Sequence, residues 1–491
     1  MNRAKLFIEN FFVYGLGSVI SKIIPLFMLP IVTRLMPNTF YYGLNDISNI
    51  VISFGSAIAI MGMYDAMFRL FFDKDDLEFK KEVCSSAFYF VTLTSIIVFA
   101  ILIIFKSFFS KLFFSSYKYS NLLVISAFTI LIGTSNSIIS APTRMQNKRR
   151  IFLVTNTLAP IISYCISVPL LIKGMYIVAL PIAGLISSLS MLIIFYFLNS
   201  SWFSVKKINK KLITDMLKIG LPLLPNFLIY WIFNSCDRLI IAKFLGNGEV
   251  GIYGIGARVA SISQFIYTAF AGGWQYFAFS TMKSKDQVEL TSRIFEYLGI
   301  ISFTSTIFLT SVSDVIFKLF FKGDYVKGAI VFPYLFLSPL LLMLYQTIGN
   351  QFLVIKKTGP SAIFLSLGAI TNILINYYLV PIIGIEGAAI GTLMGYIVSV
   401  FICSIVLTKL KLIKISKEFR LSCIITILFF IMWRLKLYGN LFLSLITSIL
   451  TIIIYLYLYW KDFVLMIRKL DFLKNFLKNF LKNTNGIKEA N

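Results

Sequence analysis

Long apolar runs constrain this chain more than any other feature. Of its 491 residues, 58% are hydrophobic and only 14% are charged, and the mean hydropathy is +0.85. The apolar residues come in runs of about 20 or more, which is the length a helix needs to cross a hydrocarbon core about 30 Å thick. A soluble protein could not hide so much apolar surface, because globular proteins keep a mostly polar skin. The chain is therefore predicted to be an all-α integral membrane protein.

Proline, glycine, asparagine and charged residues divide the apolar sequence into about fourteen predicted membrane-spanning helices. These cover residues 10–35, 40–68, 83–105, 119–141, 151–172, 176–198, 217–243, 249–280, 294–313, 329–354, 361–381, 385–408, 419–433 and 440–460. Of the 46 lysines and arginines, 32 lie on the side shared by both termini, 11 lie on the opposite side and three lie inside spans. Because cytoplasmic loops carry the excess of positive charge, both termini are predicted to face the cytoplasm.

The charge and the rare residue types exclude several classes of function. A net charge of +25 would suggest nucleic acid in a soluble protein. Here the basic residues sit in short loops between apolar runs, where they set topology and contact anionic membrane lipids, so no nucleic-acid partner is expected. Histidine is absent and none of the five cysteines forms a CxxC pair. Neither a metal site, nor a cofactor, nor a disulfide is expected.

The tail after Trp460 has a different pattern from the rest of the chain. Residues 472–483 are three copies of Phe-Leu-Lys-Asn, so leucines recur at helical spacing with lysines between them. This pattern predicts a basic amphipathic cytoplasmic tail over residues 463–491, with a helix lying in the headgroup region of the inner leaflet. A frayed tail is the alternative.

The two halves of the chain carry a repeat. Tyr42-Gly43 after the first span matches Tyr253-Gly254 after the seventh at an offset of 211 residues, and Gly174 matches Gly384 at an offset of 210. Six spans return the chain to its starting side, so the halves are related by an axis along the membrane normal. The predicted architecture is two six-helix bundles facing each other across a cavity, followed by two extra helices. The predicted domains are an N-terminal bundle (1–200), a cytoplasmic linker (201–216), a C-terminal bundle (217–410), transmembrane helices 13 and 14 (411–462) and the tail (463–491).

Polar residues recur at helical spacing inside four of the predicted spans. Spacings of three, four or seven put them on one face of each helix. Spans 1, 2, 7 and 8 are equivalent pairs under the repeat, so the four stripes are predicted to line one central cavity. The candidate substrate-path residues are Tyr14 and Lys22 in span 1, Asp46 and Asn49 in span 2, Asn226, Tyr230, Asn234, Asp237 and Arg238 in span 7, and Arg258 and Gln264 in span 8.

The predicted cavity sets Lys22, Arg238 and Arg258 against Asp46 and Asp237. Charges inside a bilayer are costly and normally face a wet cavity or a partner. A slightly cationic lumen rich in amides and hydroxyls suits an anionic, sugar-bearing headgroup, because guanidinium and ammonium groups bind phosphate oxygens. The alternative is that each charge snorkels or forms a structural pair, and that the Asn and Tyr residues join helices together.

Candidate enzyme motifs are weak. The run at residues 73–76, Asp-Lys-Asp-Asp, could be the acidic cluster of a glycosyltransferase, but a solvated loop is favoured because it lies among basic and acidic residues in a short loop. No GxGxxG and no Walker-type lysine loop is present, so ATP is not predicted to drive the protein directly. A membrane polymerase or ligase of sugar chains would need a sizeable outer loop, and the largest, around 314–328, is short. The chain is therefore predicted not to be an enzyme.

Several short motifs mark a family resemblance over roughly residues 5–460. They are Gly-Leu-Pro at 220–222 with Pro225, Asp-Arg at 237–238 before Lys-Phe-Leu-Gly at 243–246, Val-Gly-Ile-Tyr at 250–253, and Gly-Ile-Glu-Gly-Ala-Ala at 384–389. The chain resembles the polysaccharide-biosynthesis flippases of the multidrug/oligosaccharidyl-lipid/polysaccharide (MOP) exporter superfamily. The resemblance implies a V-shaped fold like that of the multidrug and toxin extrusion (MATE) transporters. It also implies transport of undecaprenyl-diphosphate-linked oligosaccharide to the outer leaflet of a bacterial inner membrane, for O-antigen, capsule or a related glycan.

Three alternatives to this function remain open from the sequence. A lipid II flippase and a cation-coupled drug antiporter belong to the same superfamily, and a membrane glycan polymerase or ligase belongs to another class. Coupling to protons, to sodium or to the membrane potential is a further expectation, with Asp46 or Asp237 as the coupling residue. The expected partners are the lipid-linked substrate, membrane lipids and polysaccharide polymerase or chain-length proteins, and a monomer is expected.

Overall fold

The computed structural model describes residues 21–280, 284, 286–355, 357, 359–462 and 464, and this part of the chain contains helices and no strands. The predicted amphipathic tail and Tyr14 lie outside these residues, apart from residue 464. The helices are α1 (21–35), α2 (Thr39–Ile60), α3 (Met63–Phe71), α4 (Leu77–Ile104), α5 (Lys106–Phe114), α6 (Ser120–Met145), α7 (Arg149–Ile172), α8 (Ala179–Asn199), α9 (Lys210–Gly220), α10 (Leu224–Phe244), α11 (Asn247–Ala260), α12 (Ser263–Ser280), α13 (Gln287–Phe320), α14 (Phe332–Val354), α15 (Gly359–Ile383), α16 (Ile385–Lys409), α17 (Lys417–Met432) and α18 (Leu441–Leu458).

Within the described residues, eleven helices are long and apolar enough to cross a membrane. One of these is the run from α9 through α10, which continues across a short 3₁₀ turn. The other three predicted spans coincide with the described part of α1, with the pair α11 and α12, and with α17, which has 16 residues. The protein is therefore a multi-pass membrane protein, and the number fourteen stays a prediction.

Two predicted spans are each divided into two helices. The span predicted at 40–68 breaks between α2 and α3, where Met61 and Gly62 adopt positive φ angles of 47° and 71°. A Cβ on Gly62 would lie 2.5 Å from the carbonyl oxygen of Gly220, so the break is held by a close backbone contact with the end of α9. The span predicted at 249–280 breaks at Ser261 and Ile262. The continuous apolar pattern hides both breaks, and the first of them depends on a tertiary contact.

The end of the predicted linker is helical. Asn209 caps α9 by accepting hydrogen bonds from the backbone of residues 211 and 212, and α9 covers residues that the sequence assigned to the linker. Leu212 and Met216 of α9 are buried in a cluster with Met63 and Met67 of α3. The linker is thus packed against the N-terminal half.

Helix packing forms two groups. In the first half α6 lies between α2, α4 and α8, and α7 packs on α8. In the second half α15 packs along α16, α10 contacts both, and α14 contacts α12, α13 and α16. The groups meet chiefly where α2 packs on α11 and α10. The exact domain boundaries stay a prediction.

The two C-terminal helices belong to the second half. Glu296 of α13 accepts hydrogen bonds from the backbone and hydroxyl of Ser416, at 2.7 and 2.8 Å. At the other end of α17, Arg434 forms an ion pair with the buried Glu386 of α16, with Nε 2.6 Å from Oε1, and Tyr334 donates to the same carboxylate at 2.9 Å. These buried polar contacts fasten the α17–α18 hairpin to α13 and α16.

Candidate functional site

The halves are in backbone contact where α2 and α11 begin. A Cβ on Gly43 would lie 1.8 Å from the carbonyl oxygen of Asn247, and a Cβ on Gly251 would lie 2.0 Å from the carbonyl oxygen of Thr39. Small residues permit such close approach between membrane helices. In the predicted topology this contact lies on the outer side, and the contact between Gly62 and residue 220 lies on the cytoplasmic side. Positions 43 and 62 are 19 residues apart, about 28 Å along a helix.

An ion pair joins the halves between these two contacts. Nε of Arg238 in α10 lies 2.5 Å from Oδ2 of Asp46 in α2. Only 18% of the arginine side chain and 9% of the aspartate side chain are exposed. Arg238 also donates to the carbonyl oxygen of Asn234 at 2.5 Å and lies over the ring of Tyr253, 5.5 Å from its centroid. The two predicted substrate-path residues are therefore brought together from opposite halves.

Exposed polar side chains lie at the interface next to this ion pair. One contact between α2 and α10 is the ion pair at position 46, and another is the hydrogen bond from Nε1 of Trp231 to the Ser53 hydroxyl at 3.1 Å. Asn49 and Asn234 lie between these two contacts, and both are exposed. The exposed amides indicate polar, water-accessible space between the two helices.

Arg258 of α11 is solvent accessible although protein atoms surround it on almost every side. This combination is typical of a side chain that lines an internal hollow. Its guanidinium lies close to the hydroxyl of buried Tyr42 in α2, and Asp46 and Tyr164 are also close. Arg258 is thus placed near the ion pair.

One of the remaining predicted residues joins the two halves, and the others have contacts within the second half. Nζ of Lys22 in α1 lies 3.4 Å from Oε1 of Gln264 in α12, which brings the first span of the first half against the second span of the second half. Tyr230 accepts from Gln346 at 3.4 Å, and Gln346 accepts from the Tyr267 hydroxyl at 2.9 Å. Asn226 is half-buried near the start of α10.

Asp237 is the exception to the predicted cavity. It is 2% exposed and faces α15 and α16, away from the first half. Its carboxylate accepts hydrogen bonds from Tyr253, from Thr392 at 2.5 Å, and from Asn372 and Asn376 at 3.2 and 2.9 Å. Neighbouring residues of a helix are rotated by about 100°, so Asp237 and its neighbour at 238 cannot share a face. The carboxylate belongs to a buried network inside the second half.

Several residues of this region were missed by the sequence analysis. Tyr42 and Tyr253 contact the charged residues, and Asn372, Asn376 and Thr392 surround the buried carboxylate. The asparagines were detectable, because two buried amides spaced by four in an apolar helix share one face and require partners. Nothing in the sequence pairs them with residue 237. Within the described residues no group of three His, Cys, Asp or Glu side chains could hold a metal ion.

These features define a multi-pass membrane protein with a charged, water-accessible site between two helical halves. The family model of polysaccharide biosynthesis proteins matches residues 31–328, and the chain belongs to that family. The predicted family is therefore confirmed. A curated relative, an uncharacterised membrane protein of Methanocaldococcus jannaschii, is 26% identical over 196 residues, which span 39% of this chain and only 38% of the relative.

Solved structures confirm the predicted fold class. The lipid II flippase MurJ in an inward closed conformation is similar with a TM-score of 0.69 and 18% identity, over 92% of this chain and all of that one. An inward-facing MATE transporter of the MOP superfamily gives a TM-score of 0.55 at 14% identity, over 80% and 99% of the two chains. A MOP superfamily transporter from Pyrococcus furiosus gives 0.52 at 14%, over 82% and 96%.

Proposed function

We propose that this protein is a flippase that moves an undecaprenyl-diphosphate-linked oligosaccharide across a bacterial inner membrane by alternating access. The observation that carries the proposal is the charge of the site between the halves. Asp237 is buried elsewhere. Among the described candidate residues, Arg238 and Arg258 lie near Asp46, and Lys22 contacts Gln264. Three positive charges against one carboxylate leave these candidates with a surplus of two. A diphosphate carries about two negative charges, and guanidinium groups bind phosphate oxygens in bidentate geometry.

The same interface offers groups that suit sugar hydroxyls. Asn49 and Asn234 expose their amides, and the Trp231 indole and Ser53 hydroxyl lie one helical turn away. Amides donate and accept hydrogen bonds at once, as a hydroxyl-rich headgroup requires. Outward movement of each negative charge is favoured by about 2.3 kcal/mol per 100 mV of inside-negative potential.

The buried network at Asp237 is the place where we propose a coupling proton or sodium ion binds. Asn372 and Asn376 donate their amide N–H groups to the carboxylate, and the Thr392 hydroxyl donates to it as well. Their own amide oxygens are buried with no hydrogen-bond partner in the described part of the chain. Carboxylate, amide and hydroxyl oxygens suit a hard cation. This cluster lies one residue from Arg238, so neutralising the carboxylate would alter the position of the ion pair with the first half.

The rival functions differ from this proposal in the charge of the cargo, in the group attached to it, or in the chemistry performed. A cationic drug would meet two surplus positive charges, which disfavours the antiporter. A lipid II flippase has a diphosphate cargo as well, so only the attached sugars separate it from an oligosaccharide flippase. A polymerase or ligase would form glycosidic bonds, and an assay for such bonds tests it. We further propose that both termini are cytoplasmic, that the protein acts as a monomer, and that polysaccharide polymerase and chain-length proteins receive its product.

The decisive experiment is gene deletion with complementation. Deletion should abolish the surface glycan and leave lipid-linked repeat units on the cytoplasmic leaflet. Lys22→Ala and Arg258→Ala should restore little glycan at a normal protein level, whereas Lys173→Ala, an exposed loop substitution, should restore it fully. If deletion leaves the surface glycan unchanged and reduces dye efflux, the flippase hypothesis is rejected in favour of the drug-antiporter hypothesis.

A further inference from the structure

A cleft of about 400 Å³ opens on the first half, away from the site between the halves. It is formed by the loop before α6, the loop before α8 and the start of α2. All three segments lie on the outer side in the predicted topology. The volume falls within the range of about 300–1,000 Å³ that is usual for small-molecule sites. We call this feature the outer cleft.

Three tyrosines line the outer cleft. Tyr41 and Tyr176 pack with ring centroids 5.3 Å apart at a tilt of 48°, and Tyr119 comes from the neighbouring loop. All three are half-buried, so their rings are held in place while part of their surface stays accessible. Pre-positioned aromatic rings provide contact area at low cost in conformational entropy.

Polar groups complete the lining. Lys118 and Asn121 are exposed at the rim, and no acidic side chain of the described residues lines the cleft. Gly174 adopts a φ of +80°, and a Cβ there would meet no atom within 4 Å, so the space beside this residue is open. Lys118 can donate to hydroxyl or carboxylate oxygens, and Asn121 can both donate and accept.

We propose that the outer cleft binds a short segment of an oligosaccharide. The polarised C–H bonds of a sugar ring pack against the negative face of an aromatic ring, while its hydroxyls need donors and acceptors at the edge. The outer cleft offers both groups. The inference rests on the proposed function, because the glycan that would reach this side is the one delivered by transport.

The outer cleft is linked to the site between the halves through α2. Tyr41 lines the outer cleft, and the next residue, Tyr42, lies close to Arg258. Successive residues are rotated by about 100°, so one turn of α2 contacts both regions. A glycan bound in the outer cleft would therefore contact the helix that closes the outer side.

The test measures binding without transport. The probe is the oligosaccharide released by mild acid from the surface polysaccharide of the cells that make this protein, added to the full chain in lipid nanodiscs. The Arg258→Gln background weakens binding between the halves. In that background Tyr176→Ala should weaken binding about tenfold, and Lys118→Gln about threefold.

Two matched controls come from the same loops. Tyr117 is exposed and does not line the outer cleft; Nζ of Lys111 lies 5.3 Å from the centroid of its ring. Lys173 is also exposed and lies outside the outer cleft. Tyr117→Ala and Lys173→Gln should bind as the parent does. Lys118→Gln changes only an exposed side chain, so it remains informative if Tyr176→Ala fails to fold.

The outcomes separate this inference from the proposed function. Binding that persists in Arg258→Gln and falls in the cleft variants supports the inference whatever the transport assay gives. Absence of binding overturns the inference, and so does equal binding by the Lys118 and Lys173 variants. A transport defect of Arg258→Gln would in that case still support the proposed function.

Discussion

Gly43→Ala is the substitution that best tests whether the contact between α2 and α11 closes the outer side. The added Cβ would lie 1.8 Å from the carbonyl oxygen of Asn247. Real Cβ contacts are essentially never under 3.0 Å, so the gap must grow by at least 1.2 Å. The Asn247 carbonyl oxygen belongs to a helix backbone, so no flexible side chain can absorb the change. The two halves must separate at this point.

The size of the effect follows from overpacking. Inserting a methyl group into a well-packed contact costs about 1–3 kcal/mol. If the cost falls only on the state closed to the outside, the equilibrium shifts toward the state open to the outside by about 5–150-fold. The open state should then be readily detected.

Thiol labelling measures this shift without transport. Asn49→Cys places a thiol at an exposed position between the halves. In a chain without its five native cysteines, a membrane-impermeant maleimide added outside cells should label this thiol at least about fivefold faster when Gly43→Ala is present.

Gly184→Ala is the matched control. Gly184 also lies inside a helix, α8, and a Cβ there would meet no atom within 4 Å. This variant should label at the parental rate. Equal labelling of the Gly43 and Gly184 variants, at equal protein level, would refute the reasoning that the glycine contact closes the outer side.

Three further predictions concern buried charges. Either Asp46→Asn or Arg238→Gln alone leaves an unpaired buried charge, so each should lower the free energy of unfolding in detergent by about 3 kcal/mol. The double substitution should cost less than the sum of the two single effects, and thermal unfolding measures all three variants. Asp237→Asn should remove any dependence of transport on sodium or on the proton gradient, and unaltered ion dependence in proteoliposomes would reject the coupling proposal. Arg434→Gln leaves the buried Glu386 carboxylate without its ion pair and with one tyrosine hydroxyl as its partner, so the α17–α18 hairpin should loosen. A protease added to the purified protein should then cut the α17–α18 loop faster than in the parent.

The sequence alone determined the membrane environment, the helical class and the stripes of polar residues. These features depend on hydrophobic length and on helical period, both of which are local properties of the chain. The repeat placed Asp46, Arg238 and Arg258 in the two pairs of equivalent helices predicted to line one cavity, and the structure brings the first two together over a separation of 192 residues.

The tertiary structure decided which face of each helix meets which partner. Arg238 points to the first half and Asp237 points into the second, although they are adjacent in sequence. The helix break at Met61 and Gly62 likewise depends on a backbone contact with Gly220. Periodicity fixes how side chains are arranged around a helix axis, but the rotation of that helix against its neighbours is set by packing between residues far apart in the chain.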